Sequence, residues 1–307
     1  SKDFIFKQIK NNIDEFIGIE QFKKKTWYSI KDLNVINNKI YISYTEEIKE
    51  DCWNTSVIFS EMNYDNIVFK KLFSSNQCIH STKNIDQEFT ASQAGGRIVE
   101  FDDDHILLSV GDYRERYLAQ KKDSINGKII KININNFNYT IFSMGHRNPQ
   151  GLYFDKERKF ILETEHGPKG GDEINLIELN TDEIPNYGWP ISSYGEHYRK
   201  TDLKYQRYPL HKSHSKYGYI EPLKSFTPSI GISEITKIND SYYVVGSMRD
   251  KSIRFFRIDN TTKKIIDLER FFLSERVRDI IYKNNKLYMF LEDSASIGII
   301  DVSKYIN

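Results

Sequence analysis

Three clusters of glycine, proline, charged and amide residues between positions 145 and 190 are the part of the sequence best suited to chemistry. They read Gly-His-Arg-Asn-Pro-Gln-Gly at residues 145–151, His-Gly-Pro-Lys-Gly-Gly-Asp-Glu at 166–173 and Asn-Tyr-Gly-Trp-Pro at 186–190. Such clusters at strand ends predict backbone in special conformations and polar side chains that converge on a ligand. Well-formed turns are the alternative for any one cluster, but three in one window favour a ligand site.

The segments around these clusters are short apolar runs bounded by Asn, Asp, Gly and Ser. Examples are residues 39–44, 106–110, 128–132, 160–164, 242–246 and 286–291. Sustained helical periodicity is rare, and aromatic residues make up 14% of the chain. This pattern indicates an all-β fold.

A faint internal repeat indicates which all-β fold to expect. Polar turns at residues 101–104, 154–156, 238–240 and 283–285 each separate two apolar strands, with a wider gap across residues 190–230. Four-stranded units at this spacing are typical of a β-propeller, and a chain of this length fits about six blades. We therefore expect a single six-bladed β-propeller domain over residues 1–307, with a short or divergent first blade. A sandwich or two stacked barrels is the alternative.

Composition excludes several classes of function. With 44 basic and 43 acidic side chains, the net charge of +1 argues against a nucleic-acid or membrane-surface binder held by bulk charge. There is no apolar run of the roughly 18 residues needed for membrane insertion. The first residues do not form a signal peptide, which says little about the compartment. Cys52 and Cys78 are too few for a zinc finger, and a disulfide and two buried free thiols both remain open.

The three clusters resemble the soluble quinoprotein glucose dehydrogenases and the related aldose sugar (sorbosone-type) dehydrogenases. The resemblance covers about residues 38–303 and includes Gly-Gly-Arg-Ile-Val at 95–99 and Arg-Val-Arg-Asp at 276–279. It implies a six-bladed propeller that uses pyrroloquinoline quinone (PQQ) and calcium. It also implies oxidation of a sugar at C1 to a lactone, electron transfer to an external acceptor, and a periplasmic or secreted location.

Five residues match cofactor-binding positions of that family. Arg147 and Asn148 match the pair beside the quinone, and Arg276 and Arg278 match a second pair. Their i, i+2 spacing places both guanidiniums on one face of a strand. Arg249 stands where the family often has a lysine, so the charge is kept but the shape is not.

The resemblance also implies calcium ligands. The carbonyls of His166, Gly167 and Pro168 match those that hold the ion bridging to the quinone, and calcium prefers hard oxygen ligands of this kind. Glu173 and Tyr187 match a second, structural calcium position of some relatives. The loop between these two residues is longer here.

One departure from the family concerns the catalytic base. The family has a histidine a few residues before the Gly-Arg of the 95–99 segment, and this chain has Ser92 or Gln93 there. Neither side chain is a base near neutral pH, and a general base is typically worth about 10²–10⁴-fold in rate. The alternative function is therefore a catalytically inactive propeller that binds a sugar or a protein in the same funnel. The first 37 residues also lack a clear first blade, and we expect residues 4–6 to pair with the last strand near residues 297–300.

Overall fold

The computed structural model describes residues 8–25, 27–179, 181–198 and 203–303. Five antiparallel sheets follow one another along the chain in an all-β propeller arrangement, and we call each sheet a blade. An N-terminal segment precedes them and contains β1 (Lys10–Asn11), a 3-10 helix (Ile13–Glu15) and α1 (Ile19–Lys24).

The first two blades occupy residues 30–144. Blade 1 contains β2 (Ile30–Ile36), β3 (Lys39–Lys49), β4 (Cys52–Glu61), β5 (Asn66–Ile67), β6 (Lys70–Phe73) and β7 (Ile79–His80). Its strand order is β2-β3-β4-β6, β7 also pairs with β4, and β5 pairs with β1. Blade 2 contains β8 (Gly95–Asp102), β9 (His105–Val110), β10 (Lys128–Asn133) and β11 (Tyr139–Met144). Two 3-10 helices, Ala91–Gln93 and Arg116–Gln120, precede β8 and β10.

The other three blades follow in the same order of strands. Blade 3 contains β12 (Pro149–Asp155), β13 (Phe160–Glu165), β14 (Asp172–Glu178) and β15 (Lys224–Phe226). Blade 4 contains β16 (Ile232–Lys237), β17 (Tyr242–Ser247), β18 (Ser252–Ile258) and β19 (Ile265–Phe272). Blade 5 contains β20 (Val277–Lys283), β21 (Lys286–Leu291) and β22 (Ser296–Asp301). The first strands of successive blades, β2, β8, β12, β16 and β20, are in contact from each blade to the next.

The number of blades differs from the expected six, because the described residues form five blade sheets. The wide gap in the repeat is an insertion: residues 179–223 connect β14 to β15, and their described part contains the 3-10 helices Leu203–Arg207 and Ser215–Tyr217. The N-terminal segment does not form a blade either. It covers one face of blade 1, where Ile13 and Phe16 pack against a cluster that includes Ile42 and Ile58. The expected pairing of residues 4–6 lies outside the described residues.

The strands of blades 2 to 4 are apolar on both faces because each of these blades is stacked between two others. In β9, Ile106 and Leu108 face the cluster shared with blade 1, while the intervening Leu107 faces the cluster shared with blade 3. Further clusters join blade 3 to blade 4 and blade 4 to blade 5. This stacking explains why the strands read as short continuous apolar runs rather than as alternating ones.

One side chain at the centre of the ring connects all five blades. The guanidinium of Arg97 on β8 contacts Asp32 of β2 at 3.0 Å, Glu234 of β16 at 2.5 Å and Asp279 of β20 at 3.1 Å. Its Nε also donates to the Gln150 carbonyl on β12 at 3.1 Å. Burial raises the pKa of Glu234 to about 8 and also raises that of Asp32. We call this group the Arg97 hub.

A disulfide bond joins Cys52, at the start of β4, to Cys78, just before β7. This resolves the alternatives left by the sequence, since neither cysteine is free. In the described part of the chain, no helix is both long enough and apolar enough to cross a membrane.

Candidate active site

The segments that precede the first strands of all five blades line one cavity of about 310 Å³, which we call the funnel. That volume is within the usual range for small-molecule sites. The predicted residues that the structure brings together there are Ser92, Gln93, Arg147, Asn148, His166, Gly167, Arg249, Arg276 and Arg278. The other three predicted metal residues, Pro168, Glu173 and Tyr187, line a smaller neighbouring cavity.

Arg147 separates the two cavities, because its side chain lines both. The side chain is buried, and its Nη1 donates to the carbonyl oxygens of His166 and Gly167, at 2.7 Å each. Its guanidinium also lies over the Trp189 ring, 5.4 Å from the centroid. Burial lowers the pKa of Arg147. These contacts hold one cation against the inner wall of the funnel.

The other guanidiniums are at the outer part of the funnel and are more exposed. Arg276 and Arg278 share one carboxylate, Glu292, with closest distances of 3.4 and 2.5 Å. Arg249 has no ion-pair partner among the described residues. Four guanidiniums therefore line the funnel, and among the described residues Glu292 is the one carboxylate that forms an ion pair with any of the outer three. The electrostatic potential favours an anionic ligand with several carboxylates.

Asn148 fixes the relative position of two segments at the rim of the funnel. Its Oδ1 accepts from the Gly95 backbone at 3.3 Å and from Gln150 Nε2 at 3.1 Å, and its Nδ2 donates to the Ser92 carbonyl at 3.4 Å. The start of β12 is thereby tied to the short helix before β8.

Ser92 and Gln93, the two candidates for the missing base position, have different environments. The Ser92 side chain is exposed at the funnel, and its hydroxyl is 2.9 Å from Thr90 Oγ1. Gln93 is buried. With its amide oxygen turned toward the guanidiniums, it accepts from Arg147 Nη2 at 2.7 Å and Arg114 Nε at 3.0 Å and donates to Asp112 at 3.0 Å. Ser92 is therefore the residue that faces a ligand, and Gln93 supports Arg147.

The loop after β13 presents the carbonyls expected to hold calcium. It folds back so closely that a Cβ on Gly167 would lie 1.8 Å from the Gly171 carbonyl oxygen, so only glycine fits at 167. Asp172 Oδ1 accepts from the Gly167 backbone at 3.2 Å and fixes the turn. The His166 and Gly167 oxygens converge on the Arg147 guanidinium, while the Pro168 oxygen accepts from Ser229 at 3.4 Å. Carbonyl oxygens are ligands that calcium prefers, but the Arg147 guanidinium occupies two of these three, so a calcium ion would have to displace it.

The second calcium position has a different arrangement. The imidazole of His214 lies between the two predicted ligands: its Nδ1 is 2.9 Å from the Tyr187 carbonyl and its Nε2 is 3.5 Å from Glu173 Oε1. The Tyr187 hydroxyl donates instead to the Leu176 carbonyl. Burial raises the pKa of Glu173 to about 7, and against the effect of burial the Glu173 carboxylate raises that of His214. His214 lies in the insertion, whose contacts sequence spacing does not predict.

A further polar cluster was not predicted from the sequence. His146, Glu163, Glu165 and Asn175 are all buried behind Arg147. A signal was present in β13, where Glu163 and Glu165 are two residues apart on one strand face in an otherwise apolar run.

A propeller with a cationic funnel at one end defines a class of protein that binds a planar or extended anionic ligand. Comparison with known proteins is more specific. The profile of the Glucose / Sorbosone dehydrogenase family matches residues 34–300, and the chain belongs to that family.

Named relatives are distant. The chain is 23% identical over 289 residues to aldose sugar dehydrogenase YliI of Escherichia coli, covering 87% of this chain and 73% of that protein. It is 33% identical over 125 residues to quinoprotein glucose dehydrogenase B of Acinetobacter calcoaceticus, covering 31% and 25%. An uncharacterised protein of Synechocystis is 33% identical over 216 residues, covering 61% and 50%. The chain thus spans half the length of the Synechocystis protein and a quarter of the Acinetobacter enzyme.

Solved structures with the same fold include a crystal structure of glucose dehydrogenase, with a TM-score of 0.73 and 23% identity over 89% of this chain and 82% of that one. Another is a PQQ-bound aldose sugar dehydrogenase of Streptomyces coelicolor, with a TM-score of 0.59 and 19% identity over 82% and 69%. At these identities, the likeness establishes the fold alone.

Proposed function

We propose that this protein is a PQQ-dependent aldose sugar dehydrogenase that oxidises its substrate at C1 to a lactone and passes the electrons to an external acceptor. The observation that carries this proposal is the convergence of Arg147, Asn148, Arg249, Arg276 and Arg278 on one funnel. These residues come from three separate segments of the sequence, and family membership supports the same assignment.

The donor set suits this cofactor. PQQ is a planar tricarboxylate, and Arg249, Arg276 and Arg278 would bind its carboxylates at the outer part of the funnel. Arg147 and Asn148 would donate to its quinone oxygens. The carbonyls of the loop at residues 166–168 would hold calcium, in competition with the Arg147 guanidinium that now contacts two of them. Bound PQQ would supply the two-electron acceptor for the hydride that leaves C1 of the sugar.

The missing base should affect the rate of sugar oxidation rather than the binding of PQQ. The anomeric hydroxyl must lose a proton as hydride leaves, and Ser92 is not a base near neutral pH. We therefore expect slow turnover compared with a site that has an imidazole there. This departure is the one observation that favours the catalytically inactive alternative, while the retained guanidiniums and family membership favour the dehydrogenase.

We also propose a periplasmic or secreted location. The Cys52–Cys78 disulfide supports it, because such bonds persist mainly in oxidising compartments.

The test is reconstitution of the purified protein with PQQ and calcium, followed by dye reduction over a panel of aldoses. We expect saturable binding of PQQ and turnover that requires both additives. Arg278→Ala should weaken PQQ binding at least tenfold. Arg257→Ala is the matched control, because Arg257 pairs with Asp267 at the end of β18 remote from Arg249, and it should bind PQQ as the wild type does.

The other outcomes separate the alternatives. PQQ binding without turnover of any aldose would favour the inactive propeller. Absence of PQQ binding would overturn the dehydrogenase.

A further inference from the structure

The buried cluster of His146, Glu163, Glu165 and Asn175 has no role in the proposed quinone reaction. Glu163 and Glu165 lie on β13, and Asn175 of β14 is paired directly across from Glu163. His146 precedes β12. All four side chains are at most 3% exposed.

Three groups of this cluster point to one place. His146 Nδ1 is 3.7 Å from Glu163 Oε2 and 3.8 Å from Glu165 Oε1. The amide of Asn175 contacts the same two carboxylate oxygens, at 3.0 and 3.2 Å. His146 Nδ1, Glu163 Oε1 and Asn175 Oδ1 have no hydrogen-bond partner among the described residues. Buried polar atoms without a partner are rare and costly, so three in one cluster indicate that the cluster binds something.

The cluster also contains two carboxyl groups that a bound cation would neutralise. In the described part of the chain, neither Glu163 nor Glu165 forms an ion pair with a lysine or arginine side chain. Among the described residues, the His146 imidazole is the one basic side chain within 4 Å of either carboxyl group, and Glu165 Oε2 also accepts from the Arg147 backbone N–H at 2.5 Å. Two buried carboxyl groups at this spacing cannot both stay ionised unless a positive charge lies between them.

The His146 imidazole is held in position through its second ring nitrogen, as metal-binding imidazoles usually are. His146 Nε2 is 2.8 Å from Ser143 Oγ, and the ring stacks on Tyr187 with centroids 4.9 Å apart. The second ring nitrogen is thus fixed by a hydrogen bond, which leaves Nδ1 directed at the two carboxylates.

We propose that His146, Glu163 and Glu165 form a binding site for a divalent transition-metal ion, best matched by Zn²⁺. Turning the Asn175 amide so that its oxygen, rather than Nδ2, faces the two carboxylates would supply a fourth ligand. The ligand atoms of His146, Glu163 and Glu165 all lie within 4.8 Å of one another. Two ligands about 2.1 Å from a tetrahedral ion are about 3.4 Å apart. The distances from His146 Nδ1 to the two carboxylates, 3.7 and 3.8 Å, exceed that separation by a few tenths of an ångström. Calcium is a poorer match because it takes six to eight oxygens.

The experiment measures zinc bound to the wild-type protein without PQQ or calcium. The purified protein is dialysed, its metal content is determined by mass spectrometry, and Zn²⁺ is titrated against a competing chelator. We expect one tight equivalent per chain and an anomalous-scattering peak at the zinc edge between His146 and Glu163. Glu163→Gln should weaken zinc binding at least a hundredfold.

His105→Gln is the matched control. It removes an exposed histidine–carboxylate pair in which His105 Nδ1 is 2.7 Å from Asp102 Oδ1. This variant should keep the tight equivalent. Loss of that equivalent in His105→Gln, an anomalous peak elsewhere or no tight equivalent in the wild type would each overturn the proposal.

The result is independent of the proposed function. Arg278→Ala should lose PQQ affinity and keep zinc, so the failure of one proposal is distinguishable from the failure of the other. The anomalous peak of the wild type decides the question even if Glu163→Gln does not fold.

Discussion

Two adjacent residues at the rim of the funnel suit different roles: one faces the space for a substrate, and the other supports the Arg147 side chain. Ser92 is exposed toward the ligand space, whereas Gln93 is buried against Arg147 and Asp112. A base introduced at 92 would therefore meet a bound sugar, while one at 93 would displace the contacts of Arg147.

Ser92→His is predicted to increase the turnover of aldoses by about 10- to 100-fold, below the full value of a well-positioned general base. The pH–rate profile should gain a rising limb near pH 6.5, the ordinary pKa of histidine. Steady-state dye reduction with PQQ and calcium measures both. Gln93→His is the control, and it should give no gain in rate and a lower melting temperature. A Ser92→His variant that binds PQQ normally but turns over no faster would contradict this role.

The sequence predicted the funnel better than its surroundings. The structure brings all five predicted cofactor residues to one funnel, and their role there stays a prediction. Motif matches could find these positions because each lies at the start of a strand or in a tight turn, where local sequence specifies position. They did not reveal that the His214 imidazole lies between the Glu173 carboxylate and the Tyr187 carbonyl. Nor did they reveal that His146 lies beside Glu163 and Glu165. Those contacts depend on strand register and on a long insertion, neither of which local spacing determines.

At the scale of elements, the disulfide closes the outer part of blade 1. It links β4 to the chain before β7 across a separation of 26 residues. Beyond that pairing, β7 contacts β4 through only two residue pairs, Cys52 with His80 and Trp53 with Ile79. The covalent bond therefore supplies much of the constraint on this segment.

Replacement of both cysteines by alanine is predicted to lower the free energy of unfolding by about 3.5 kcal/mol, from the entropy of a closed loop of this length. Urea denaturation of the Cys52→Ala/Cys78→Ala variant measures the change. Wild type unfolded in the presence of a reductant is the matched control and should lose a similar amount. Equal midpoints for oxidised and reduced protein would show that the bond does not contribute to stability.

The internal repeat identified one equivalent element in every blade. Five of the six apolar runs used to predict strands correspond to β3, β9, β13, β17 and β21, which are the second strands of the five blades. The sixth run, residues 128–132, lies in β10, the third strand of blade 2. The four polar turns correspond to the hairpins between first and second strands of blades 2 to 5. The second strands of blades 2 to 4 are buried on both faces, so their pattern is strong. The total number of blades was wrong because length and turn spacing do not distinguish a blade from the insertion at residues 179–223.

At the scale of the whole molecule, the Arg97 hub connects the ring. Arg97→Ala would leave Asp32, Glu234 and Asp279 without their common partner, and we predict a loss of about 3–5 kcal/mol in the free energy of unfolding. Arg257→Ala removes an exposed ion pair and should lower the free energy of unfolding far less. Chemical denaturation of both variants makes the comparison. An equally small effect for Arg97→Ala would mean that stacking of the blades alone closes the ring.

The hub also predicts the direction of a pH effect on the whole fold. Burial raises the pKa of Glu234 from near 4.5 to about 8, with Asp279 and Asp32 acting in the same sense and Arg97 against it. The folded state therefore holds a proton that the unfolded chain releases at lower pH. The contribution of protonated Glu234 to stability is complete below pH 4.5 and is lost as the pH rises through about 8.

Glu234→Gln carries no titratable group at this position, so the difference in unfolding free energy between wild type and variant isolates the contribution of Glu234. Between pH 5 and 9, the unfolding free energy of the wild type should fall by a few kcal/mol relative to that of the variant, because one unit of pKa shift corresponds to about 1.4 kcal/mol. Urea denaturation at closely spaced pH values gives the curve. If the wild type instead gains stability over the variant as the pH rises, Glu234 is ionised in the folded protein and Arg97 outweighs burial at the centre of the ring.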